Sequence, residues 1–179
     1  MNKPTGVPVR VLVGGLVLSA AGFASWLGYE GFTERPVIPT KGDVPTIGHG
    51  STRYEDGTPV RMSDVAITRE RAAALARNLH SEEEARFRAS IPGVMLTQGE
   101  YDLYVDFTGQ YGIGNWRGSS MRRALQAGQY RAACDALLLW KKQAGRDCSQ
   151  PRNWGPQGCK GVWTRQQERH AKCVAELGP

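Results

Sequence analysis

Residues 11–50 read VLVGGLVLSAAGFASWLGYEGFTERPVIPTKGDVPTIGHG, and this stretch carries no charge before Glu30. The uncharged run Val11–Tyr29 follows the basic residues Lys3 and Arg10. As a helix it would be about 28 Å long, close to the thickness of one hydrocarbon core. This pattern predicts export, with the N-terminus in the cytoplasm and the rest of the chain outside.

The composition of the apolar segment favours a weak membrane anchor. Almost half of its residues are Gly, Ala or Ser, and these add little to the free energy that holds a helix in lipid. An anchor of this kind can leave the bilayer. Two alternatives remain: a signal peptide cleaved near Ala20–Ala24, and a permanent anchor.

The length and charge of the chain limit its organisation and its partners. With 179 residues, the chain has room for one domain beside the N-terminal segment. A net charge of +6 indicates polyanionic surroundings such as nucleic acid, anionic lipid or a bacterial wall. The basic residues are scattered rather than clustered, so we expect no nucleic-acid partner.

Turn residues and helix caps outline an α+β architecture. Thr33–Tyr54 is rich in Pro, Gly, Thr and Val, which predicts short strands and turns. Thr68 is placed to cap a helix that reaches Ser90, and the residues from Thr97 form a capping box for the next one. A second capping box, at Thr164, predicts the start of the last helix.

These signals divide the chain into an N-terminal anchor segment and one domain with two lobes. The predicted anchor covers residues 1–29 and the domain covers residues 30–179. Within the domain we expect a small β-rich lobe at about 31–62 and a larger helical lobe at about 63–179.

The four cysteines lie in the last third of the chain and predict two disulfides in an oxidising compartment. Three connectivities are possible, and we favour the nested one. Cys148–Cys159 would close the loop SQPRNWGPQG, and Cys134–Cys173 would join two helices. Since the cysteines and the three histidines lack zinc-ligand spacing, we expect no metal site, and nothing indicates a cofactor.

Glu30 is the first candidate for chemistry. A carboxyl at the end of an apolar helix, beside aromatic side chains, is partly desolvated; this raises its pKa and suits a proton donor. Asp43 is a candidate second carboxylate, and Thr46 is a candidate hydroxyl for holding water. The structural alternatives are a charge at the membrane boundary for Glu30 and ordinary turn chemistry for Asp43. We interpret His49, which lies between glycines, as structural.

Four blocks of sequence resemble the phage-type lysozymes of glycoside hydrolase family 24. They are Glu30–Phe32 with Pro45–Gly50 (PTIGHG), then Tyr111–Trp116 (YGIGNW) and Lys160–Arg165 (KGVWTR). Their order and spacing are similar to those of family members with signal-anchor-release N-termini. The resemblance covers nearly the whole chain and implies a lysozyme-like fold.

The resemblance implies cleavage of the β-1,4 bond between N-acetylmuramic acid and N-acetylglucosamine in peptidoglycan. Glu30 would be the general acid, and Thr46 would hold the water. The family's order is Glu, then Asp or Cys, then Thr, but the interval between Glu30 and Thr46 is longer by one position than the pattern has. Asp43 is the nearest carboxylate and the natural substitute, with Thr40 as the alternative. Hydrolysis and lytic transglycosylation both remain open.

The resemblance also implies a place and a regulation for the enzyme. We expect a phage endolysin, exported as an inactive monomer with a single pass through the host inner membrane and its domain in the periplasm. Release to the periplasm, coupled to a holin, would activate it and cause host cell lysis. The alternative from another class is a membrane-tethered, peptidoglycan-binding protein with an inactive lysozyme fold. A third interpretation is a cleaved, constitutively active secreted lysozyme.

Overall fold

A computed structural model of the chain describes residues 8–40 and 42–178, apart from the side chains of Tyr29 and Glu30. The helices are, in chain order, α1 (Ala20–Glu30), α2 (Arg69–Ser90), α3 (Gln98–Gly118), α4 (Ser120–Gln126), α5 (Tyr130–Ala136) and α6 (Lys160–Ala175). The strands are β1 (Val11–Leu12), β2 (Thr33–Val37), β3 (Thr46–Gly48), β4 (Met95–Leu96), β5 (Lys142–Gln143) and β6 (Arg146–Asp147). The predicted α+β class is confirmed.

The contacts between residues divide the chain into two units. One is Leu18–Arg86, and the other is Phe87–Pro179 together with the described part of Met1–Val17. The division falls inside α2, because Phe87 is fully buried against Tyr101 and Trp116 of the second unit. We call the first the hairpin unit and the second the helical unit.

The hairpin unit is built around the antiparallel strands β2 and β3. Thr33 pairs with Gly48 and Val37 with Thr46, and the register shifts between these two pairs. Ile47 of β3 is fully buried and belongs to an apolar cluster with Val60 and Leu75. Alternation along β3 therefore buries one side chain in the core, and Thr46 is left half-buried beside it.

Gly48 is required where β3 approaches α2. Its φ is +66°, and a Cβ there would lie 2.9 Å from the Cβ of Ala72. No other residue satisfies both the backbone conformation and the close packing. Gly48 thereby lets the end of β3 contact the helix directly.

Two polar contacts hold α2 in the hairpin unit. The Thr68 hydroxyl accepts a hydrogen bond from the Arg71 N–H at 3.1 Å, which confirms the predicted cap. The Arg71 guanidinium binds both carboxylate oxygens of Glu55 and lowers the pKa of that carboxyl to about 2. The loop that carries Glu55 is thereby attached to the first turn of α2.

The helical unit has an aromatic core around Trp116. Phe87, Tyr104 and Phe107 contact the Trp116 ring with centroid distances of 5.0, 5.4 and 6.3 Å, and all four side chains are fully buried. Trp116 Nε1 donates to the Ser90 hydroxyl at 2.8 Å, so the one polar atom of the indole is satisfied.

The start of α3 carries the predicted capping box. Thr97 Oγ1 accepts from the Glu100 N–H, and the Glu100 carboxylate accepts from the Thr97 N–H. This confirms the sequence prediction at Thr97. The prediction at Thr164 is wrong, because α6 already begins at Lys160, with Cys159 as its N-cap. Cys159 is held by a disulfide and its carbonyl accepts from the Val162 N–H, so the helix starts one turn before the local motif.

The N-terminal apolar segment does not form one continuous helix in the folded chain. Its first residues form β1, which pairs with β4, and a 3₁₀ turn at Val13–Gly15 follows. Helix α1 begins only at Ala20, where the Ser19 hydroxyl caps it by accepting from the Gly22 N–H at 3.0 Å. Glycines disfavour a helix in the first half of the segment, and the serine cap favours a start in the second half.

Among the described residues, none of the helices combines the length and the apolar character that a membrane span requires.

The two disulfides have the nested connectivity expected from the sequence. Cys134–Cys173 joins α5 to α6, and Cys148–Cys159 closes the loop before α6. The bonded cysteines are 39 and 11 residues apart in sequence.

Removing the longer-range disulfide is expected to cost the larger stability. Loop-closure entropy predicts a loss of about 4 kcal/mol for Cys134→Ala/Cys173→Ala and about 3 kcal/mol for Cys148→Ala/Cys159→Ala. Urea unfolding of the two double variants beside the wild type measures both losses. A smaller loss for the first pair than for the second would contradict the prediction.

Candidate active site

Glu30 is the last residue of α1, and its backbone position is set by the end of that helix. Gly31 terminates the helix with a φ of +70°, a conformation that favours glycine at this position. The side chain of Glu30 lies outside what the structure describes. Its predicted role therefore rests on the sequence and on the backbone around it.

Thr46 is the first residue of β3, in the same unit as Glu30. Its Oγ1 donates to the Val37 carbonyl at 3.4 Å. This is longer than an ordinary O–H···O hydrogen bond, so the hydroxyl is only loosely held by the protein. Its oxygen also keeps two acceptor sites, and the group is suited to binding water.

Asp43 lies in the loop that joins β2 to β3. Its side chain is exposed, and its N–H donates to the Thr40 carbonyl at 2.9 Å. A backbone hydrogen bond therefore joins Asp43 and Thr40, the two candidates for the second catalytic position. The structure places this loop and Thr46 on the same hairpin, only a few residues apart.

His49 connects the hairpin to the end of α1. Its Nδ1 lies in hydrogen-bond contact with the Gly31 carbonyl, and its ring contacts Trp26 and Phe32 with centroid distances of 6.5 and 5.7 Å. The glycines on either side of His49 predicted a structural role for this residue. They did not indicate which atom the imidazole would bind. The partner is the residue that follows Glu30.

A pocket with a volume of about 120 Å³ lies next to His49 in the hairpin unit. His80 lines it and is only 3% exposed, with its ring 4.2 Å from that of Trp26. Its Nδ1 is 3.9 Å from a carboxylate oxygen of Glu83. Sequence reasoning missed His80, although it follows Leu75, Ala76 and Leu79 at helical spacing, which indicates the buried face of α2.

The hairpin unit offers a glutamate at a helix end, an exposed carboxylate and a threonine hydroxyl that is only loosely bound to a backbone carbonyl. Acid catalysis at one side of a bond and water activation at the other require these groups. Among the described residues, no three His, Cys, Asp or Glu side chains are grouped to hold a metal ion.

Comparison with known families and relatives gives a consistent result. Residues 28–153 match the family model described as phage lysozyme. This range contains Glu30, Asp43, Thr46 and His49. The endolysin of Salmonella phage P22 is 39% identical to this chain over 105 residues, which make up 58% of this chain and 69% of the endolysin.

Solved structures show the same similarity. The endolysin from Escherichia coli O157:H7 phage FAHEc1 has a TM-score of 0.72 at 24% identity, covering 93% of this chain and 98% of its own. A mutant of P22 lysozyme has a TM-score of 0.70 at 28% identity, covering 89% of this chain and 99% of its own. Because its sequence identity is so low, the first of these likenesses concerns the fold alone.

Proposed function

The chain belongs to the phage lysozyme family, and from that premise we propose that it is an endolysin whose muramidase activity lyses the bacterial host. It has the lysozyme-like fold expected from the sequence and is a glycoside hydrolase that acts on peptidoglycan. The observation that carries the proposal is the family match over residues 28–153, which includes the end of α1 and the whole β2–β3 hairpin.

In the proposed reaction, α1 supplies the general acid, and the β2–β3 hairpin supplies the second carboxylate and the water-binding hydroxyl. Glu30 protonates the oxygen of the leaving sugar, at the β-1,4 bond between N-acetylmuramic acid and N-acetylglucosamine. Asp43 stabilises the oxocarbenium-like transition state or orients the water, and Thr46 holds that water. The loose bond between Thr46 and Val37 supports this role. Because the water needs room between the two carboxyl groups, inversion at the anomeric carbon is expected.

The assay that tests this function uses the purified chain with purified peptidoglycan. The proposal predicts soluble muropeptides with new reducing ends. The wall-binding alternative, which the unusual spacing between Glu30 and Thr46 motivates, predicts that the chain sediments with peptidoglycan and releases nothing. Intact glycan strands after prolonged incubation would favour that alternative.

Two variants decide which residue fills the second catalytic position. Asp43→Asn is expected to lower kcat on the order of a hundredfold, since an uncharged amide stabilises the transition state less and orients water poorly. Thr40→Ala is expected to keep near-wild-type turnover. Both side chains are exposed, and the bond between the Asp43 N–H and the Thr40 carbonyl uses backbone atoms only, so both variants should fold.

The rate of reducing-end release measures both variants. The opposite pattern, in which Thr40→Ala is impaired and Asp43→Asn is active, would assign the position to Thr40.

The proposal includes export in an inactive, membrane-anchored form. The uncharged run Val11–Tyr29 precedes Glu30 directly, so an inserted segment would hold Glu30 at the lipid boundary. In the folded chain this segment contributes to both units, as β1 in the helical unit and as α1 in the hairpin unit. A segment that lies in the bilayer cannot pair as β1 with β4, and it cannot pack as α1 in the hairpin unit, which supports inactivity before release.

The contacts of Arg10 also support the proposal that the anchored form and the folded form exclude each other. Its Nε and Nη2 donate to the Glu100 carboxylate at 2.9 and 2.6 Å, and its guanidinium lies 3.8 Å from the centre of the Tyr130 ring. Glu100 is 1% exposed, so the folded chain depends on Arg10 to neutralise a buried charge. The proposed anchored form leaves Arg10 in the cytoplasm and Glu100 in the periplasm. This ion pair can therefore form only after the whole segment has left the membrane.

A further inference from the structure

We infer that His49 is a positioning residue, which sets the separation between the proposed general acid Glu30 and the water-binding Thr46. The inference rests on the proposed function, because it takes the roles of Glu30 and Thr46 from there. It assigns His49 a place in the reaction without contact to the substrate.

The contact partners of His49 place it between the two groups. Its Nδ1 contacts the carbonyl of Gly31, the residue directly after Glu30, and His49 itself follows shortly after Thr46, just past the end of β3. The bond therefore joins the end of α1 to the strand that carries the hydroxyl. Because a carbonyl only accepts, Nδ1 must carry the proton and donate.

The end of α1 needs such an anchor. Carbonyls in the last turn of a helix have no partner within the helix, and terminal turns fray unless other groups bind them. Gly31 has no side chain to pack, and its φ is +70°. The bond from His49 supplies an external donor at this point, directly beside Glu30.

The imidazole ring is itself held in place. It lies against Trp26 of α1 and against Phe32, and the Phe32 ring in turn lies 4.3 Å from the Arg69 guanidinium at the start of α2. Packing on two rings restricts the rotation of the imidazole, so Nδ1 stays directed at its acceptor.

Two substitutions separate the hydrogen bond from the packing. His49→Phe keeps a ring against Trp26 and Phe32 but removes the donor. His49→Asn removes the ring and presents an amide N–H close to the former position of Nδ1. If the hydrogen bond positions Glu30, His49→Phe lowers kcat about tenfold with little change in KM, and His49→Asn restores most of that loss.

The measurements are kcat and KM on soluble peptidoglycan fragments, together with the thermal midpoint of each variant. His170→Phe is the matched control: His170 lies in the helical unit and binds Asp135 at 2.9 Å, so the same substitution there should leave kcat unchanged. A scalar coupling across the hydrogen bond, from His49 Nδ1 to the Gly31 carbonyl carbon, tests the bond in the wild type without any variant.

A wild-type kcat for His49→Phe would overturn the inference, and so would a His49→Asn variant as impaired as His49→Phe. Absence of the scalar coupling in the folded wild type would also overturn it. Wild type and Glu30→Gln are assayed in parallel. If the wild type releases nothing, or if Glu30→Gln equals it, the proposed function itself has failed. If Glu30→Gln is inactive while His49→Phe is fully active, only the positioning role is refuted.

Discussion

Glu30→Gln is expected to abolish lysis and to lower the rate of glycan cleavage by about 10²–10⁴-fold, because glutamine cannot protonate the leaving oxygen. The substitution keeps the size of the side chain and the end of α1 at Gly31. We therefore expect an unchanged far-UV spectrum and thermal midpoint. Release of reducing ends from purified peptidoglycan measures the loss.

Glu34→Gln provides the matched control. Glu34 is an exposed glutamate on β2, and the proposed mechanism gives its side chain no role. This variant should retain wild-type turnover. Wild-type turnover by Glu30→Gln would remove Glu30 from its role and, with it, the proposed mechanism.

Ala20→Leu/Ala21→Leu/Ala24→Leu is expected to delay lysis after the membrane potential is collapsed. All three alanines are exposed in the folded chain, so the substitutions leave its core intact. The three leucines make the free energy of insertion into the bilayer more favourable. The gain is roughly 1 kcal/mol on insertion scales and roughly 7 kcal/mol on a full hydrocarbon-transfer scale. Even the smaller value shifts the equilibrium about fivefold toward the proposed anchored state.

Culture turbidity before and after addition of a protonophore measures this effect. The serine variant of the same three positions is the control, because small polar side chains weaken the anchor, and it should lyse at least as early as the wild type. Both purified variants should cleave peptidoglycan at wild-type rates. Prompt lysis by the leucine variant would contradict release from the membrane as the activating step.

Local signals predicted the helix starts only where no distant contact competed with them. Thr68 and Thr97 cap α2 and α3 as their motifs indicated, because a cap is made by atoms within one turn. Thr164 has a similar motif but lies inside α6. There the Cys148–Cys159 disulfide holds the N-cap residue, and the helix begins one turn earlier. A capping motif spans only a few residues, so it contains no information about a disulfide to a residue outside it.

In the candidate site, too, the local sequence predicted some features and tertiary contacts decided the others. Glu30, Asp43 and Thr46 could be named from residue type, spacing and family resemblance. His49 was interpreted as structural, but its partner, 18 residues earlier in the chain, was not predictable. The glycines beside it permit many backbone directions, and only the packed rings of Trp26 and Phe32 select one.

The sequence by itself determined the uncharged segment, the helix periodicity, the cysteine count and the family blocks, because each depends on residue type and on spacing along the chain. Only the tertiary structure decided what Val11–Tyr29 becomes in the folded chain and which groups complete it. Arg10 and Glu100 are 90 residues apart, and their ion pair exists only where the fold buries Glu100 beside β1 and β4. Burial makes that charge costly when unpaired, and burial is a property of the folded chain rather than of any local stretch of sequence.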